Sequence, residues 1–92
     1  MVDITTRVAT FITKSGIQNG ICLVHSLHST SALIINENEE GLRADLLKKV
    51  SEDYPRGIGW LHDRIDDNAD GHLAGAFVGP SVTIPVKEGL PV

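Results

Sequence analysis

The sequence predicts an α+β domain, a small mixed or antiparallel sheet with helices packed on one side. Three observations predict it. Near the start, Ile4, Val8, Phe11 and Ile12 recur at i, i+4, i+7 and i+8, the spacing of one helix face. From Ile21 to Ser26 a β-branched and apolar run follows, and near the other end Val82, Ile84 and Val86 alternate with polar neighbours. Only four residues are aromatic, so the core falls to Ile, Val, Leu and Ala, which suits a small sheet with helices.

The first helix is expected from about Thr5 to Ser15. Asp3 or Thr5 can cap its start, and Gly16 can take the left-handed stop. After the Gln18-Asn19-Gly20 turn comes the Ile21 to Ser26 strand, with His25 in line with Ile21 and Leu23. His28-Ser29-Thr30-Ser31 interrupts it, and Ala32 to Ile35 is expected as a second strand ending at Asn36. Asn36 with Glu39 reads as a capping box for a helix whose apolar face is Leu42, Leu46 and Val50, closed by Tyr54-Pro55. Trp60-Leu61-His62 is a loop or brief strand. Asn68 or Asp70 can then cap a helix with Ala69, Leu73, Ala76 and Phe77 on one face and Gly79-Pro80 as its stop. Pro85 demotes the last strand to an edge or bulged position, because proline lacks the ladder donor. Glu88-Gly89 opens a hairpin turn for which only Leu90-Pro91-Val92 remain as a return.

Ninety-two residues without a linker, repeat or low-complexity tract read as one domain. A chain of this size buries only about 60 to 65% of its unfolded surface, so oligomerisation can supply missing burial. Eight basic residues against twelve acidic give a net charge of −4, and no Lys/Arg stripe is present, which disfavours nucleic-acid binding. Cys22 is the only cysteine, so no intrachain disulfide forms, and a reducing cytoplasm fits. Neither a leader-like amino end nor a run of eighteen apolar residues is found, so no membrane association is expected.

Chemistry concentrates between His62 and Gly79, where two histidines, four aspartates and an asparagine crowd together. Asp66, Asn68, Asp70 and Gly71 match positions 1, 3, 5 and 6 of a calcium loop, but the bidentate position 12 is Phe77, which rejects that motif. The stronger reading is a divalent metal site drawn from His62, His72 and Asp67, joined by His28 from a strand end. Imidazoles favour zinc and carboxylates favour magnesium, so the mixture admits either ion. Ser29, Thr30 and Ser31 can bind phosphate or merely bond their own turn, since no glycine-rich loop accompanies them. Glu37 can be a general base or a helix first-turn residue. For Asp70 capping is the stronger role, and a hydrolase triad lacks its nucleophile elbow.

Together, Asp3-Ile4-Thr5, Asn19-Gly20, His28-Ser29-Thr30-Ser31-Ala32, Ile35-Asn36-Glu37, Asp67-Asn68-Ala69-Asp70-Gly71-His72-Leu73, Gly79-Pro80-Ser81 and Ile84-Pro85-Val86 resemble the YjbQ family over essentially the whole chain. The resemblance implies a compact α+β domain, a homotrimer, and the activity of proteins described as secondary thiamine-phosphate synthases, a transferase reaction joining a pyrimidine pyrophosphate to a thiazole phosphate. His28-Ser29-Thr30 stands where family members have His-Thr-Thr, which keeps the hydroxyls. For that chemistry, His28, Glu37, Asn68 and His72 are the expected catalytic groups, and Ser29, Thr30, Asn36 and Ser81 the expected contacts to a phosphorylated small molecule. His28, His62, Asp67 and His72 would hold the metal that neutralises departing oxygens. Rival readings are a non-catalytic trimer binding a metal or anion, and a metal-dependent hydrolase on His62, His72 and Asp67. Family members also carry strands before the Asp3 segment and a Gly-Thr-Trp-Gln strand with an Asp-Gly-Pro-Arg tail after Leu90. The chain is therefore expected to be shortened at both ends.

Overall fold

The computed structural model describes Met1–Val92 and contains three α-helices, one 3-10 helix and a three-stranded sheet. In chain order these are α1 (Thr5–Ser15), β1 (Asn19–His25), α2 (Glu40–Asp53), the 3-10 helix (Leu61–Arg64), α3 (Ala69–Val78), β2 (Ser81–Lys87) and β3 (Leu90–Pro91). The fold class is α+β, as expected. Two compact units divide the chain, residues 1–24 with 82–92, and residues 25–81.

In the first unit, Asp3 Oδ1 accepts hydrogen bonds from the Thr5 N–H and hydroxyl, at 2.9 and 2.6 Å, so Asp3 secures the start of α1. Gly16, at φ 75°, ends the helix in the left-handed conformation that only glycine adopts freely. The core forms where the two periodicities meet. Ile12 of α1, Cys22 of β1 and Val86 of β2 are buried, with Val8, Val24 and Ile84 packed around them. Alternation along β1 then turns Ile21 and Leu23 outward. Phe11, expected inside, lies at the margin of the helix stripe and is exposed.

The strand order is β1-β2-β3, so β2 is central and the edge position expected from Pro85 is corrected. The Pro85 carbonyl accepts from the Val92 N–H at 2.9 Å, and the donor that proline lacks would point to the same side, past the short β3 ladder. Little is lost there. The return strand also exists: Lys87 pairs with Leu90 and Val86 with Pro91 across the two-residue turn Glu88-Gly89. Both turn residues have positive φ, 53° and 77°, the type I′ pattern whose twist matches a hairpin. Gly89 further donates its N–H to Gln18 O at 2.9 Å.

The second unit holds α2, the 3-10 helix and α3. Glu39, and not Asn36, caps α2: its carboxylate accepts from the Gly41 and Leu42 N–H groups at 2.7 and 2.6 Å. Asn36 instead accepts from the Glu37 N–H at 2.8 Å. On α2 the expected face, Leu42, Leu46 and Val50, is half-buried, and the Tyr54 ring beyond it stacks on Phe77 at 5.6 Å. Trp60 donates its indole N–H to Pro55 O at 2.7 Å, which fixes the chain leading into the 3-10 helix. The expected strand from Ala32 to Ile35 does not form. Its residues run without turn or bend, but only Leu33 reaches another segment, donating to Gly79 O at 3.0 Å. A strand needs a ladder of hydrogen bonds to a neighbour, and this single bond does not make one.

The Glu39 carboxyl lies below its ordinary pKa because the Gly41 and then the Leu42 N–H groups bond its charged form. A depressed folded value means that the cap stabilises α2 above the unfolded carboxylate range and is lost as pH falls through it. Hydrogen exchange at Gly41 and Leu42 is therefore expected to accelerate relative to Val8 between about pH 5 and pH 3. In Glu39→Gln the extra acceleration disappears; its persistence would mean that another group governs the end of α2.

Candidate functional site

All the expected site residues belong to the unit formed by residues 25–81. The site begins with a capping bond made across elements. Asp63, in the 3-10 helix, accepts from the Ala69 N–H at 3.0 Å, so a carboxylate six residues upstream satisfies a free donor of α3. That bond draws the 3-10 helix onto the start of α3, and His62 arrives beside Asn68 and His72. His62 Nε2 lies 3.1 Å from Asn68 Oδ1. The two imidazoles meet edge to face, with centroids 4.6 Å apart and planes at 83°. Asn68 also receives the His72 N–H on its backbone carbonyl at 3.2 Å, which begins the helical ladder. Trp60, Leu61, Ala69 and Leu73 complete, with the two histidines, an apolar-walled pocket of about 170 Å³. Apolar walls around a few convergent polar atoms are the usual form of a small-ligand site.

Asp67 does not join this cluster. Its carboxylate pairs with Arg56 Nη2 at 2.8 Å, both side chains being largely exposed. The hydrogen bond and charge of Asp67, with the charges of Asp70 and Asp63 behind it, raise the Arg56 pKa above its ordinary value. Sequence reading passed over Arg56. Its signal was a lone basic residue in a turn, eleven positions before Asp67.

His28 serves through its backbone. Its N–H donates to Ser26 Oγ at 3.2 Å, and its carbonyl accepts from the Ser31 N–H at 3.2 Å and the Ser31 hydroxyl at 3.1 Å. The Ser26 and Ser31 hydroxyls share a further short bond. No three His, Cys, Asp or Glu side chains are placed to share an ion, so His28, His62, Asp67 and His72 are not assembled as one ligand set. The physical reason is competition: Arg56 holds Asp67, and the loop bonds of Ser26 and Ser31 set the position of His28. Asn36, Glu37 and Ser81 are exposed and make no recorded bond to the histidine pair.

Ser29 and Thr30, expected to hold a ligand, contact α3 through the Ser29 carbonyl and the Thr30 Cβ and methyl group. A Cβ on Gly75 would stand 3.0 Å from both the Ser29 and the Ser31 carbonyl oxygens, and one on Gly71 would stand 3.2 Å from Thr30 Cβ. The His28–Ser31 loop thus lies directly on the glycine face of the helix that carries His72.

The family match to the UPF0047 protein YjbQ-like group covers residues 1–92. The chain belongs to this family. A UPF0047 protein of Archaeoglobus fulgidus is 42% identical over 97% of this chain and 68% of its own length. Another, from Methanothermobacter thermautotrophicus, is 44% identical over 97% of this chain and 62% of its own length, so the chain spans about two thirds of such relatives. Among solved structures, a YbjQ-like protein of unknown function from Sulfolobus solfataricus P2 superposes with a TM-score of 0.96 at 47% identity, covering 99% of this chain and 66% of that one. These findings correct the expected function. The relatives carry a family designation without an assigned activity, so thiamine-phosphate synthesis is not supported for this chain. No helix is long and apolar enough to cross a membrane.

The close loop contact makes Gly75→Ala informative. Alanine favours a helix by up to about 1 kcal/mol over glycine, whereas crowding two backbone carbonyls at 3.0 Å costs about 1 to 3 kcal/mol. A net loss of about 1 kcal/mol is expected in denaturant melts. A stabilised variant would show that the loop moves freely away from α3.

Proposed function

We propose that His62, Asn68 and His72 bind a divalent ion of the zinc type, with an open position for a small anion such as a phosphate group. The supporting observation is the 3.1 Å between His62 Nε2 and Asn68 Oδ1. Two donors each about 2.0 to 2.2 Å from one ion, at slightly more than a right angle, lie about that far apart. A shared proton and an ion are thus alternative occupants of the same gap. The neighbouring His72 ring supplies a second imidazole after a modest rotation, and two imidazoles favour zinc over magnesium.

The three ligands fit an open site rather than a closed one. Two nitrogens and an amide oxygen leave at least one coordination position, and the pocket walls limit what can occupy it. When bound, the ion supplies positive charge to an anionic oxygen. This chain's own part is positional: Asp63 holds the start of α3, Asn68 orients His62, and Trp60 and Leu73 exclude solvent from one side. Asp67 lies outside the ligand set, and its Arg56 partner adds a cation in the same polypeptide segment.

Isothermal titration with zinc chloride is the direct test. His62→Ala and His72→Ala are each expected to weaken binding at least tenfold and Asn68→Ala about tenfold or less, while Asp67→Ala leaves it within about twofold. Equal binding by the double variant His62→Ala/His72→Ala would refute the site. A tenfold loss in Asp67→Ala would mean that the carboxylate leaves Arg56 to join the ion.

A further inference from the structure

The pocket beside the histidine pair is walled mainly by carbon. Trp60, Leu61, Ala69 and Leu73 border it with His62 and His72, and its volume is about 170 Å³. The Trp60 indole has one donor, and that N–H is taken by Pro55 O at 2.7 Å, which leaves the ring as a fixed aromatic surface. Leu61 is 70% exposed at the border of the pocket, so part of the apolar wall still faces water. An apolar cavity of about 150 Å³ takes up benzene, so this pocket has the volume for one six-membered ring.

Beyond the imidazoles and Asn68, the walls offer an anion no donor. Arg56 is held by Asp67 at 2.8 Å, and neither Arg56 nor Arg64 borders the pocket. Asp63, Asp67 and Asp70 all lie close enough to act on Arg56, and Asp63 also bonds the N–H of the pocket residue Ala69. The more heavily an anion is charged, the more strongly these carboxylates repel it. A phosphate oxygen turned toward the walls meets neither a cation nor an N–H, and leaving a charge unpaired against carbon is costly. A carboxylate can turn both of its oxygens to the ion, and an attached ring then covers the walls.

We infer that the anion taken by the histidine site is a monocarboxylate carried on a single aromatic ring, with the carboxylate at the ion's open position and the ring against Trp60, Leu61 and Leu73. The inference rests on the zinc site proposed above and narrows its ligand. Ring-to-ring contact with the indole favours an aromatic body over an aliphatic one of equal area.

Trp60 is the only tryptophan, so its emission reports on the pocket directly. Zinc binding is measured first, and benzoate, acetate and methyl phosphate are then titrated into the zinc-loaded chain. Benzoate is expected to change the Trp60 emission and to bind at least about tenfold more tightly than acetate or methyl phosphate. Without zinc its affinity is expected to fall at least about tenfold. Leu61→Ala, at a position exposed enough to spare the fold, is expected to lower the preference for benzoate over acetate about threefold or more. A chain that binds no zinc overturns the ion site and this inference together. If zinc binds and acetate or methyl phosphate matches benzoate, the ligand class alone is overturned and the ion site stands. Benzoate that binds equally well without zinc, or a preference untouched by Leu61→Ala, also overturns it.

Discussion

The constraint on which the second unit depends is the close approach of a loop to a helix at two glycines. Ser29 and Ser31 present their carbonyls to Gly75, and Thr30 packs over Gly71, at separations so short that an added Cβ would force the loop to shift. The two glycines lie four residues apart, on one face of α3, so the contact runs along a full helical turn. Glycine weakens a helix by about 1 kcal/mol, and here two occur within ten residues. That cost is offset by backbone approach, and the same approach fixes the His28–Ser31 loop through its own serine bonds.

From this arrangement the character of the pocket follows. α3 begins at Ala69 because Asp63, from the 3-10 helix, satisfies its first donor, and the bond brings His62 to Asn68 and His72. Its cluster of acids therefore divides its labour. Asp63 is structural, Asp67 neutralises Arg56, and the imidazoles are left with an amide oxygen as their polar neighbour. A carboxylate engaged by a guanidinium is a poor candidate for a metal, whatever its proximity in sequence. The backbone that carries these residues is shared with the Sulfolobus structure over 99% of this chain at a TM-score of 0.96.

The first unit illustrates the limits of a small core. Ile12, Cys22 and Val86 are its buried residues, while Ile21 and Leu23 face outward from the same strand whose alternate positions are inside. Alternation guarantees that one face of a sheet is covered only if something lies against it. The Ala32–Asn36 segment makes the same point for backbone groups. Its side chains favour a strand, but strand structure is a property of a pair, and this segment makes only the one bond from Leu33 to Gly79.

Local patterns in the sequence determined the elements whose partners are close in the chain. The α1 limits followed from the Ile4, Val8 and Ile12 stripe and Gly16, and α3 from its apolar run and Gly79, because helix bonds join residues four apart. The grouping of His62, Asn68 and His72 was also legible, since they lie within eleven positions. What only the tertiary structure decided was every pairing across distance. It placed β2 at the centre despite Pro85, left Ala32–Ile35 without a strand ladder, and gave Asp67 to Arg56. In each case the outcome turned on which groups packing brought together in space, which sequence spacing does not encode.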